Sequence, residues 1–296
     1  MTDVALGSVE AVIGLQPEDT VSFRRMRSIV HNRLGMAAII FLFAEVVVAV
    51  FAPLLAPYDP IHQNLLTLFS GPSWQHLLGN DDLGRDVLSR LIYGARVSLE
   101  VGVLSVGVSL LIAVPIGFIA GYRGGIIDRG VLILVDILLS VPPLILVFAI
   151  EGILGPSVTN LIIALAVFFV PTFMRLTRQE TRHLRQSQLV EAERALGLDE
   201  WTIAYRHVLP AITPALIVQA ASSIGVAIIS EAALSFLGLG VRPPAPSWGV
   251  MLQTSFPYIT THPWLLLPPS AAVLLTVLAF NVFADALRDA LGRDSR

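Results

Sequence analysis

The chain has 296 residues, of which 55% are hydrophobic and only 14% charged. Soluble domains carry about a quarter charged residues, so this balance is that of a membrane protein. A formal net charge of −3, with no dense basic run or basic–aromatic stripe, leaves nucleic-acid binding without support. There is no cysteine, and all 19 residues counted as lysine or arginine are arginine. Disulfides and cysteine-ligated metal sites are thereby excluded, as is a Walker A loop, whose lysine reaches the nucleotide phosphates.

Residues 1–33 are polar, contain Pro17 and end in the basic group Arg24, Arg25, Arg27 and Arg33, as expected of a tail outside the membrane. An apolar span follows from about Leu34 to Ala52, long enough to cross a hydrocarbon core of about 30 Å. It exceeds the apolar region of a signal peptide and runs straight into Pro53, so it is expected to be an uncleaved anchor. Residues 53–96 form a long connection, proline-rich at first and then charged, ending in GNDDLGRDVLSRLIYGARVS with an amphipathic helical pattern. Further spans are expected over Val97–Gly121, Val131–Ile153, Val158–Leu176, Ala211–Phe236 and Trp264–Leu287. Gly117 and Gly121 form a small-xxx-small pair suited to close helix packing. A second long connection, 237–263, carries the proline-rich VRPPAPSWG.

The predicted fold is therefore all-α and integral to the membrane, with six transmembrane helices and a short helical segment between the fourth and fifth. Its expected organisation is a tail (1–33), a first helix with its long external segment (34–96), a five-helix membrane domain (97–288) and a C-terminal tail (289–296). With the N-terminus inside, fifteen arginines fall in inner segments and four, Arg85, Arg90, Arg96 and Arg242, fall outside. Cytoplasmic loops are enriched in basic residues, so both termini and the connection around residue 191 are placed in the cytoplasm.

Glu45, Asp136, Glu231, Asn281 and Asp285 fall within or at the edges of the expected spans. A charge near the bilayer centre costs a few kcal/mol, so such residues face protein or water. Asp136 and Asp285, close to arginines of the inner face, read as paired or helix-end acids. Glu231 is more suggestive, because its weakly apolar helix also carries Gln219, Ser222 and Ser223. One face of that helix is expected to border a translocation path, although small and hydroxyl residues also serve close packing.

The segment EAERALGLDEWTIAYRHVLP, Glu191 to Pro210, interrupts this apolar pattern. Its first residues are good helix formers, and Gly197 is suited to end a helix in a left-handed conformation. Asp199 can cap a second helix, with Glu200 favourable at its N-terminal end, and Pro210 can open the fifth span. Small side chains at Ala192 and Ala195 leave a surface that another protein could approach. Periodicity alone does not separate a docking element from an ordinary solvated helix.

This segment resembles the cytoplasmic "EAA" loop of bacterial ABC-importer permeases: Glu-Ala-Ala, three residues, Gly, nine residues, then Ile-x-Leu-Pro. Glu191, Ala192, Gly197, Leu209 and Pro210 fall on that spacing, while Glu193 replaces the second alanine and His207 stands at the isoleucine position. GNDDLGRDVLSRLIYGARVSL, DRGVLILVDILLSVPPLIL, ERALGLDEWTIAYRHVLPAI and EAALSFLGLGVRPPAPSWGVML resemble the C-type permease of the dipeptide/oligopeptide (nickel) branch, as does the block HNRLGMAAIIFLFAEVVVAVFAPLLAPYDP. The resemblance runs from about Arg24 to Arg288.

The resemblance implies a type I ABC-importer permease fold in a bacterial plasma membrane, surrounded by membrane lipid. The coupling helix, about 188–197, would dock on an ATPase through Glu191, Ala192, Glu193, Ala195, Leu196 and Gly197, with Leu209 and Pro210 closing the motif. It further implies a heterodimer with a B-type permease, two cytoplasmic ATP-binding subunits and an extracytoplasmic peptide-binding protein. This chain would bind no cofactor and no metal; ATP and Mg would belong to the partner ATPases. Nickel and glutathione carriers share the permease pattern. A proton-coupled secondary transporter, motivated by Glu45, Asp136 and Glu231, is a competing expectation. An enzyme is not expected, since HExxH and Gly-x-Ser-x-Gly are absent and all six histidines lie outside the apolar spans.

Overall fold

The computed structural model describes residues 33–292. The expected tail over 1–33, apart from Arg33, lies outside the described residues, as do residues 293–296 of the expected C-terminal tail. The described residues contain helices and no β-strand. Long helices are α1 (Arg33–Val50), α3 (Val87–Arg123), α6 (Val158–Arg185), α9 (Leu209–Phe236) and α11 (Leu267–Gly292). Shorter ones are α2 (Ala52–Leu55), α4 (Gly125–Ser140), α5 (Pro143–Leu154), α7 (Gln188–Ala195), α8 (Glu200–Thr202) and α10 (Trp248–Ser255). Five helices are long and apolar enough to cross a membrane, or six spans if the bent pair α4–α5 is counted as one.

The third span is not the single helix expected over Val131–Ile153. Its two halves meet at 85°. Pro142 and Pro143 supply no backbone N–H, and proline drives the residue before it out of the helical region. Val141 is accordingly extended, with φ −84° and ψ 128°. The second span also differs from expectation, since α3 begins at Val87, ten residues earlier. The 96/97 boundary thus falls inside a continuous helix. Asp86 caps it by accepting from the Ser89 backbone N–H at 2.8 Å, and from the Ser89 hydroxyl at 2.7 Å.

The core forms where α3 and α6 cross. A Cβ on Gly117 would stand 2.6 Å from the Met174 carbonyl oxygen, and one on Gly121 2.5 Å from that of Arg178. Only glycine allows backbones to approach so closely. Leu161, Leu165, Phe173 and Met174 of α6 are buried beside Val101, Val106 and Ala113 of α3. The two long connections, 53–96 and 237–263, are fastened to this core. Asp81 pairs with Arg85 at 2.7 Å and with Arg90 at 3.3 Å, and the Trp248 indole of α10 donates to the Leu91 carbonyl at 3.2 Å.

The acids singled out within the spans have partners in the chain, whereas Glu151 of α5 is buried with neither carboxyl oxygen hydrogen-bonded. Asp136 pairs with Arg175 at 2.7 Å and Asp285 with Arg288 at 3.4 Å. Glu45 of α1 accepts from the Thr276 hydroxyl of α11, tying the first helix to the last.

Candidate functional site

The segment between α6 and α9 is built from local signals. Ser187 caps α7, accepting from the Val190 N–H at 3.4 Å. At its other end the Leu198 N–H bonds to the Glu193 carbonyl (3.2 Å) and the Gly197 N–H to that of Arg194 (3.0 Å). This pair of bonds is the Schellman closure, which requires a left-handed residue after the cap. Gly197, at φ +83°, is that residue. Asp199 then caps α8 by accepting from the Thr202 hydroxyl (2.6 Å) and N–H (2.9 Å), and these bonds hold its carboxyl below the usual range.

The helix does not restart at Pro210 as expected. It runs on from Glu200 to Phe236 through a π-helical stretch, Ile203–Val208. The Leu209 N–H reaches back five residues to the Ala204 carbonyl, immediately before Pro210. The wider π turn accommodates the proline, which cannot donate and whose ring would crowd the preceding turn of an α-helix.

One side of α7 is seated in the bundle. Val190 is buried with Phe118 of α3, Ile203, Ala204 and Val208 of the π stretch, and Ile212 and Leu216 of α9. Arg194 donates to both Glu200 oxygens, at 2.6 and 3.1 Å, and the Tyr122 hydroxyl at the end of α3 lies 2.6 Å from Glu200 Oε2. The bonds to Glu200 raise the Arg194 pKa further. Glu193 is also turned inward, with His207 Nδ1 2.7 Å from its Oε1.

The other side of α7 is open. Glu191, Ala192, Ala195 and Gly197 are exposed. Leu189 and Leu196, 65% and 80% exposed, stand two turns apart on either side of Ala192. Leu189 escaped the motif reading, although apolar residues seven apart around Ala192 were visible in the sequence. A cleft of about 570 Å³ beside this face is lined by Asp128, Arg182, Arg185, Glu191 and Arg194. Leu209 and Pro210 lie away from it, at the junction with α9.

Of the four residues assigned to a path, Gln219 and Ser222 keep partial exposure, whereas Ser223 and Glu231 are buried. Gln219 Nε2 donates to the Ser223 hydroxyl at 3.2 Å. Glu231 is fully enclosed, accepting from Ser98 of α3 at 2.8 Å and Ser235 at 2.9 Å. The Trp248 backbone N–H reaches the same Ser98 hydroxyl at 3.4 Å, so this carboxyl fastens α3, α9 and α10 together. Among the described residues no group of three or more His, Asp or Glu is placed to hold a metal.

This architecture has a counterpart among solved structures. A chain of a methionine ABC transporter, solved in inward-facing conformations, matches 67% of this chain and 96% of its own length, with a TM-score of 0.50 and 22% identity. Residues 113–296 match the family described as "Binding-protein-dependent transport system inner membrane component", and the chain belongs to that family. Residues 23–72 match the N-terminal transmembrane domain of oligopeptide transport permease C.

Membership makes the chain a multi-pass inner-membrane component of a transport system rather than an enzyme. Similar curated proteins include a dipeptide transport system permease of Alkalihalophilus pseudofirmus, 42% identical over 88% of this chain and 86% of that one. A di/tripeptide permease of Pseudomonas aeruginosa is 42% identical over 90% and 89%, and a glutathione permease of Pectobacterium atrosepticum 40% identical over 90% and 88%.

Proposed function

We propose that this chain is the C-type membrane subunit of an ATP-driven importer of dipeptides and short oligopeptides. It forms half of the translocation pathway, the other half being a B-type permease. The observation that carries the coupling role is the two-sided character of α7: Val190 and Glu193 are buried against the bundle, while Leu189, Ala192 and Leu196 present an apolar stripe outward. Such a stripe on a short, anchored helix suits a cleft in a partner protein. Two cytoplasmic ATPases, holding ATP and Mg, are its partners through Glu191, Ala192, Ala195, Leu196 and Gly197. An extracytoplasmic binding protein delivers the peptide to the segments around 53–96 and 237–263.

Both termini are cytoplasmic in this reading. Its working divisions are the tail (1–33), the first helix with its external segment (34–96), whose last ten residues already belong to α3, the permease domain (97–288) and the C-terminal tail (289–296), whose first four residues extend α11. Gln219 and Ser222 border the path, with Ser223 and Glu231 holding that helix in place from behind.

The test is reconstitution in proteoliposomes with and without the ATPases, followed by uptake of labelled dialanine. Uptake that needs ATP and the ATPases is expected; ATP-independent uptake driven by a proton gradient would overturn the reading. The 40% identical glutathione permease supports glutathione as the alternative substrate. Mass spectrometry of what co-purifies with the cognate binding protein decides between the two.

A further inference from the structure

Glu193 and His207 are the two positions at which the segment departs from the Glu-Ala-Ala…Ile-x-Leu-Pro spacing. The fold brings them together. Glu193 lies on α7 and His207 in the π-helical stretch, yet His207 Nδ1 stands 2.7 Å from Glu193 Oε1. The Glu193 residue is only 8% exposed, and its second oxygen, Oε2, is buried without a hydrogen-bond partner. A carboxylate in that position is costly unless a cationic or donor group faces it. His207 is the group that does so, and it is reached across a turn closed by Gly197.

We propose that Glu193 and His207 form one positioning pair that locks the outward-facing helix α7 to the start of the fifth span. A push on α7 then moves Ile203–Phe236 with it instead of being absorbed in the turn. The Arg194–Glu200 pair supports the same joint from the solvent side. This inference rests on the proposal that α7 contacts an ATPase.

The pair has a distinctive mutational signature. Breaking a buried polar pair by removing one member is more harmful than replacing both by apolar groups. His207→Ile leaves a buried carboxylate unfaced, whereas Glu193→Ala leaves a histidine that is about one-third exposed, so the first is the worse single change. Glu193→Ala/His207→Ile removes both and leaves an apolar contact.

The experiment compares wild type, both single variants and the double variant in the assembled complex. Two readouts are used: ATP hydrolysed per labelled dialanine taken up, and hydrogen exchange of backbone amides 190–198. His207→Ile is expected to raise ATP used per dialanine by about fivefold and to speed amide exchange, with the double variant recovering most of both losses. Wild-type behaviour of both single variants, or a double variant no better than His207→Ile, overturns the proposal. If dialanine is not taken up, amide exchange decides it.

A control separates this proposal from the one it rests on. Ala192→Arg/Ala195→Arg should release the ATPases in a pull-down. Retention of ATPases and uptake refutes the docking role of α7. Release, combined with wild-type latch variants, refutes the latch alone.

Discussion

Gly197 shows how a single backbone angle supports a segment. Its φ of +83° closes α7, and a Cβ there would meet nothing within 4 Å. A substitution is therefore opposed by conformation and not by space. Gly197→Val should cost about 1–2 kcal/mol locally and lower uptake per ATP, whereas Gly197→Asn, which tolerates this region, should do less harm. Glu231 makes the opposite case, because its partners matter and its backbone is ordinary helix. Glu231→Ala strands the Ser98 and Ser235 hydroxyls and should destabilise by about 1–3 kcal/mol, read as faster thermal inactivation in detergent. Glu231→Gln keeps an acceptor and should lose less. The cap at Asp199 and the left-handed Gly197 were legible in the sequence, because each rests on neighbours a few residues away. The enclosure of Glu231 was not, since Ser98 is 133 positions distant.

At the scale of elements, the clearest legible feature was the Gly117/Gly121 pair, which the fold uses where α3 crosses α6. Gly117→Val places its side chain against the Met174 carbonyl and Thr177. The expected overpacking cost is about 1–3 kcal/mol, visible as reduced folded protein in fluorescence-detected chromatography. Element edges were less legible. Hydropathy continues smoothly through Val141, so the 85° break depended on giving Pro142 and Pro143 their full weight. The opposite happened at Pro210, where a proline expected to begin a helix sits inside one. The sequence contains no direct mark of a π turn, because it is a hydrogen-bond register chosen among alternatives of similar local energy.

At the scale of the molecule, the absence of cysteine makes topology directly measurable. Trp74, 97% exposed in the external segment, and Leu196 on α7 should fall on opposite sides of the membrane. In single-cysteine variants, an impermeant maleimide should label Trp74→Cys on intact cells and Leu196→Cys only after permeabilisation. Labelling of Leu196→Cys from outside would reverse the proposed orientation. Packing at this scale runs through α10, whose Trp248 is buried between α3 and α9. Trp248→Ala should cost about 3–5 kcal/mol and free α10 and the connection around it, read as increased proteolysis around residues 241–258.

Composition, apolar runs, arginine placement and the EAA-like spacing were enough to define a multi-span transport component and to single out residues 188–197. These are local or additive quantities, and a chain carries them whatever its final packing. Only the tertiary structure decided that Glu193 meets His207, that Glu231 closes on Ser98 of another helix, and that Leu189 and Leu196 remain outward. Contacts between distant residues depend on how helices cross, and that is settled by close packing over the whole bundle.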